Sequence, residues 1–76
     1  MVHGYVFLDA ATGAAEKLPA LLDNVEVVRE AHVVAGDHDV VAEVETEGVY
    51  DVLATVTEQI RPLDGVESTR TYVALE

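Results

Sequence analysis

The chain has 76 residues, half of them apolar and none cysteine, with 15 carboxylates against four basic side chains (Lys17, Arg29, Arg61 and Arg70) and a formal charge of −11. The absence of cysteine excludes disulfide staples, thiolate metal sites and thiol nucleophiles, and the acidic surface argues against nucleic acid and anionic membranes as direct partners. A single cytoplasmic domain over residues 1–76 is expected, because no basic and apolar leader opens the chain and no apolar run approaches the roughly 20 residues of a membrane span.

A chain this short buries only about 60% of its unfolded surface, so association with further chains is the expected source of additional stability. The core must come from Val, Leu, Ile and Ala, since the sequence holds one Phe, three Tyr and no Trp. The excess of carboxylates also suits high cytoplasmic salt, where a short Debye length makes self-repulsion tolerable.

In chain order, Val2 to Leu8 is a β-branched and aromatic run ended by Asp9, and Ala10 to Gly13 reads as a loop. Leu18, Leu21 and Leu22 lie at helical spacing within Glu16 to Leu22, with Pro19 in the first turn, where its missing N–H costs nothing. Val25 to Val34 is a second strand in which Val28, Glu30, His32 and Val34 alternate with Val27, Arg29, Ala31 and Val33. Gly36 and Asp37 are turn residues before a third strand, Val40 to Glu45, so the two strands read as a hairpin. Within that third strand Val40, Ala42 and Val44 face one way and Val41, Glu43 and Glu45 the other. Val49, Val52, Leu53, Val56 and Ile60 then trace one apolar helical stripe, which Arg61 to Gly65 ends through Pro62. Thr69 to Leu75 alternates again as a fourth strand.

Strand, helix, strand, strand, helix, strand is the order of the α+β ferredoxin-like βαββαβ fold, a four-stranded antiparallel sheet with two helices on one face. The other face, holding part of Val2 to Leu8 with Glu43, Arg70 and Tyr72, is too apolar to stay wholly in water. A second copy of the sheet is its expected cover, which makes the protein dimeric.

Two stretches carry a resemblance. Ala31-His-Val-Val-Ala-Gly-Asp-His-Asp-Val-Val-Ala-Glu-Val-Glu and Ile60-Arg-Pro-Leu-Asp-Gly-Val-Glu-Ser-Thr-Arg-Thr-Tyr-Val-Ala-Leu resemble the C-terminal ligand-binding (RAM) domain of the Lrp/AsnC regulators, with its V-x-G-x-x-D-x-x-x-x-V and G-V-x-x-x-x-T patterns. The likeness spans the whole chain. It implies sheets paired into dimers, dimers joined into rings that are commonly octamers, and an amino-acid effector between dimers near the Gly-x-x-Asp hairpin. By position the implied contacts are Gly36, Asp37, His38 and Asp39 in the turn, with Thr69 and Thr71 on the fourth strand. The regulators' N-terminal helix-turn-helix has no counterpart ahead of the first strand, so direct DNA binding is not expected, and full-length regulators become candidate partners in mixed assemblies.

The turn has a physical reading apart from the resemblance. Glycine admits positive φ and close backbone approach, exposed amides receive a carboxylate, and Asp37 or Asp39 accepts from an ammonium, so an amino acid would satisfy both ends. Ordinary hairpin chemistry, with Asp39 capping the turn, accounts for the same residues. Asp37, His38 and Asp39 are consecutive and therefore splay to opposite faces, which argues against a metal site. No catalytic pair and no Gly-rich phosphate loop stands out, so neither enzymatic activity nor a cofactor is expected. Two rival readings remain: a small dimeric ferredoxin-like enzyme of the monooxygenase or isomerase kind, using His3 or His32 in a cleft between sheet and helices, and an amino-acid-binding module of the ACT type.

Overall fold

A computed structural model describes every residue from Met1 to Glu76. Four strands form, β1 (Val2–Ala10), β2 (Val28–Val33), β3 (Val40–Thr46) and β4 (Val66–Val73), together with two helices, α1 (Leu18–Leu22) and α2 (Val49–Thr55). All strand pairs are antiparallel and the sheet order is β2-β3-β1-β4. The βαββαβ ferredoxin-like arrangement implied by the order of elements is the one observed.

The core lies on one side of the sheet because the strands alternate. Val6 and Leu8 of β1 and Val40, Ala42 and Val44 of β3 point inward and join Leu18, Leu22, Val52, Val56 and Ile60 in a single buried cluster. Both helices therefore cover the same face, α1 over β2 and β3, α2 over β3 and β4. Each large side chain buried there contributes about 1.5–3 kcal/mol relative to exposure. Gly4 sets how closely α2 can sit, because a Cβ at this position would lie 3.0 Å from Val52 Cγ1 and 3.1 Å from Val44 Cγ2.

Local chemistry explains the helix ends. A single 3₁₀ turn, Ala15–Lys17, leads into α1, and Pro19 falls at its start, where no N–H partner is lost. Beyond Thr55 the second helix widens into a π-helical turn, Val56–Ile60, in which the Arg61 N–H donates to the Val56 carbonyl at 2.8 Å. The wider turn keeps both Val56 and Ile60 in the core.

The sequence reading needs four corrections. β1 continues through Asp9 to Ala10, since Asp9 pairs with Ser68 and Ala10, after a register shift, with Val66. β4 accordingly starts at Val66 and stops at Val73, opposite Gly4, where β1 offers only one further backbone contact, from the Ala74 N–H to the His3 carbonyl. β2 begins at Val28, and strict alternation fails within it: a bulge lies between Val28, paired with Val44, and Glu30, paired with Glu43. The bulge sends Arg29 and Glu30 to one side and returns Ala31 and Val33 to the core side. Finally, Val49 and Leu53 are each 51% exposed while Thr55 turns inward. Only the row Val52, Val56, Ile60 meets the sheet, and neighbouring positions lie about 100° round the helix from it.

Candidate functional site at the hairpin and the open sheet face

Alternation assigns every second residue of the sheet to the uncovered face: His3, Tyr5, Phe7 and Asp9 of β1, Val41, Glu43 and Glu45 of β3, and Ser68, Arg70 and Tyr72 of β4 share it through their pairings. Its middle is aromatic. Phe7 and Tyr72 meet edge to face with ring centroids 5.8 Å apart, and Tyr5 and Tyr72 remain 38% and 53% exposed. The β2 side is polar, with Glu45 held between Arg29 Nε at 3.3 Å and His3 Nε2 at 3.2 Å, and with His32 beside Glu30 at 3.1 Å.

The loop between β2 and β3, residues 34–39, closes one end of this face. Val34 N–H donates to the Asp39 carbonyl at 2.9 Å and Asp39 N–H to the Leu8 carbonyl at 3.0 Å, so the loop continues the ladder toward β1. One Asp39 carboxylate oxygen, Oδ2, accepts from the Ala10 N–H at 2.8 Å and fixes the loop to the end of β1. Gly36 has φ +152°, a backbone region that strains any L side chain, yet a Cβ there would meet no atom within 4 Å. Ala35, Gly36 and Asp37 are exposed. The amide N–H groups of Ala35, Gly36, Asp37 and His38 find no acceptor in the chain.

His38 folds back over the open face. Its ring centroid is 5.4 Å from that of Phe7, and its Nδ1 lies 3.0 Å from Asp9 Oδ1. Asp9 also accepts from the Ser68 hydroxyl at 2.5 Å. The Ser68 hydroxyl first, and the His38 ring second, hold the Asp9 carboxyl below its usual range, because hydrogen bonds to the ionised form favour it. The carboxylate thus ties three segments together: β1, the loop and β4. Serine bonds here to the carboxylate and not to the imidazole, so the group lacks the order that activates a serine nucleophile.

Of the residues singled out in the sequence, Gly36, Asp37, His38 and Asp39 do cluster at this end. Thr69 and Thr71 do not share their face: they pair with Leu8 and Val6, both buried toward the helices, and are themselves half-buried on that side of β4. Thr69 nevertheless lies level with Val40, next to the loop, across β1. Asp9, Ser68 and Phe7 escape the sequence reading. Period-two counting from Tyr5 through Phe7 is the available signal for Asp9, which its residue type presents as the end of a strand.

Other expected chemistry can also be placed. His3 and His32 are on the uncovered face, 47% and 62% exposed at the side chain, outside any space between sheet and helices. They sit on β1 and β2, which β3 separates. No three His, Asp or Glu side chains converge as metal ligands, and no helix is long and apolar enough to cross a membrane.

The fold is a ferredoxin-like βαββαβ domain with one sheet face uncovered. The chain matches the family model for the Lrp/AsnC ligand binding domain over residues 5–76, and it belongs to that family. The family is one of regulatory ligand-binding domains and not a known enzyme family. Among solved structures it is similar to hypothetical protein PHS023 from Pyrococcus horikoshii, at 30% identity and TM-score 0.89, covering 100% of this chain and 92% of that one. It is also similar to TTHA0845 from Thermus thermophilus, at 29% identity and TM-score 0.92, covering 100% and 95%. The transcriptional regulator NMB0573 from Neisseria meningitidis, solved as a complex with L-Met, shares the fold at 13% identity and TM-score 0.87, over 99% of this chain and 50% of the regulator. No curated protein matches the sequence.

Proposed function

We propose that the domain is a non-catalytic sensor that receives an amino acid at the 34–39 loop, where two protomers or two dimers meet, and passes the binding on through its association with other chains. The observation that carries this reading is the run of four unbonded amides, Ala35 to His38, flanked by the carboxylates of Asp37 and Asp39. Such amides receive a carboxylate, while Asp37 and the Asp39 oxygen not engaged by Ala10 receive the ammonium. Thr69 and Thr71 contribute from the flank of β4. The complex of NMB0573 with L-Met supports an amino acid as the ligand class.

The aromatic centre of the uncovered face supports pairing of two sheets. Phe7, Tyr5 and Tyr72 supply the apolar area and the rim of charges around Glu45 and Arg70 the register. Dimers then assemble into a ring, up to an octamer, in the cytoplasm, and mixed assemblies with full-length regulators carry the signal to transcription without direct DNA contact by this chain.

The test is a thermal-shift screen of the twenty amino acids combined with sedimentation at several protein concentrations. A melting-temperature rise with one or a few amino acids, accompanied by species larger than the 8.2 kDa chain, is the expected result. No shift with any amino acid removes the ligand assignment. A chain that stays monomeric, unchanged by Tyr72→Lys on the open face, removes the subunit junction.

A further inference from the structure

The loop that carries the four free amides and the aromatic centre of the uncovered sheet face meet in one side chain, His38. We infer that His38 is a latch joining the two: closed, it holds the loop against the sheet and completes the surface on which a second copy sits, so that ordering of the loop and pairing of the sheets favour one another. The coupling rests on the proposed pairing of sheets; the latch itself does not.

His38 belongs to both places. Its backbone amide is one of the four without an acceptor, while its ring lies 5.4 Å from that of Phe7, which in turn meets Tyr72 edge to face at 5.8 Å. Its Nδ1 lies 3.0 Å from Asp9 Oδ1. The neutral Nδ1–H form and the imidazolium both donate across that distance, so the contact does not require a charge on the ring. The loop is anchored at its ends, through Val34 and Asp39, but Ala35, Gly36 and Asp37 make no backbone hydrogen bond. The His38 side chain is what grips the face beside them.

Neither half of the grip is strong. A pair as exposed as His38 and Asp9, 27% and 39% at the side chain, adds little stability, and one tilted ring contact adds a modest amount. A closed form favoured by so small a margin leaves an open form populated, and a partner that binds only the closed form shifts the balance.

The open form has an arrangement of its own. Arg70 stands opposite Phe7 on β4, two residues from Ser68, the partner of Asp9 in the ladder. It makes no ion pair, yet its charge already favours the ionised Asp9, so its guanidinium can take the oxygen that His38 vacates. Two discrete pairings of one carboxylate give the element two states. A second sheet laid on Phe7 and Tyr72 also bears on the His38 ring and leaves it less room to depart. With His38 open, the partner loses part of the aromatic surface it meets.

Nitrogen-15 relaxation of the loop amides, together with sedimentation equilibrium, tests both parts without any ligand. In His38→Ala and in Asp9→Ala the order parameters of Ala35, Gly36 and Asp37 should fall by about 0.2, towards the flexible range below about 0.6. Ser68→Ala, which keeps His38 on Asp9, should leave them at the parent's values. His38→Ala should also weaken pairing about three- to tenfold. Because linkage is reciprocal, diluting the parent from dimer to monomer should shift the Gly36 amide resonance, and His38→Ala should abolish that shift. Unchanged loop order in both His38→Ala and Asp9→Ala would overturn the latch. Loop order lost while pairing stays unaltered would overturn the coupling. A parent that is monomeric at every concentration would refute the sheet pairing and the coupling with it, and the relaxation data would still decide the latch.

Discussion

Asp39 has a double assignment that two substitutions separate. Its Oδ2 accepts from the Ala10 N–H at 2.8 Å and fixes the loop to β1, while its second oxygen is the one we propose accepts from a ligand ammonium. Asp39→Asn keeps a carbonyl oxygen for the Ala10 amide and removes the charge. Asp39→Ala removes both and leaves a half-buried amide without its acceptor. A hydrogen bond to an ionised group is worth about 1.5–3 kcal/mol, and the partial exposure here favours the lower figure. In a domain of this size each 1 kcal/mol moves the melting temperature by about 4–8 °C, so Asp39→Ala should melt roughly 6–12 °C lower. Asp39→Asn should melt within a few degrees of the parent and yet lose the shift given by the amino-acid ligand. Differential scanning calorimetry with and without ligand reads both quantities. An Asp39→Asn protein that binds as well as the parent would refute the ammonium contact, and an Asp39→Ala protein with unchanged melting would refute the tethering role.

Three further outcomes follow from the packing and charge. Asp9 has a folded pKa below its unfolded value, so its ionised form stabilises the fold above the ordinary carboxylate range, and that contribution is lost as pH falls through the folded pKa. Ser68→Ala should therefore raise the Asp9 pKa in a carboxyl NMR titration, and no movement would dissociate the two groups. Leu22→Ala, at a fully buried core position, should cost about 2–5 kcal/mol by urea denaturation, enough to unfold much of a chain with so small a core; a cost under about 1 kcal/mol would contradict its place there. The charge of −11 should make the urea midpoint rise steadily with potassium chloride as self-repulsion is screened, whereas a midpoint indifferent to salt would leave the acidic composition without a role in stability.

Much of this is legible in the sequence because period and burial coincide. In β3, Val40, Ala42 and Val44 alternate with Val41, Glu43 and Glu45, and the sheet buries the first set and leaves the second on the open face. The turn residues before Val40 identify the hairpin, and the Gly-x-x-Asp pattern identifies the family. The bulge at Arg29 and Glu30 is not legible, since it depends on where β2 meets β3 and not on either strand alone. Asp9 looks like a strand end because aspartate is rare within strands; Ser68 and His38, 59 and 29 residues away in the chain, make it acceptable inside one. Thr69 and Thr71 follow from motif position, and only the pairing with Leu8 and Val6 assigns them to the helix side.

The backbone amides of Ala35 to His38 are the groups to which the carboxylate of an amino-acid ligand is assigned. A nitrogen-15 NMR titration, using whichever amino acid most raises the melting temperature, observes those four amides individually. Saturable shifts concentrated at Ala35, Gly36, Asp37 and His38, with smaller ones at Thr69 and Thr71, are expected. Shifts confined to other parts of the chain, with these four unmoved at saturation, would contradict the assignment of the loop as the sensor.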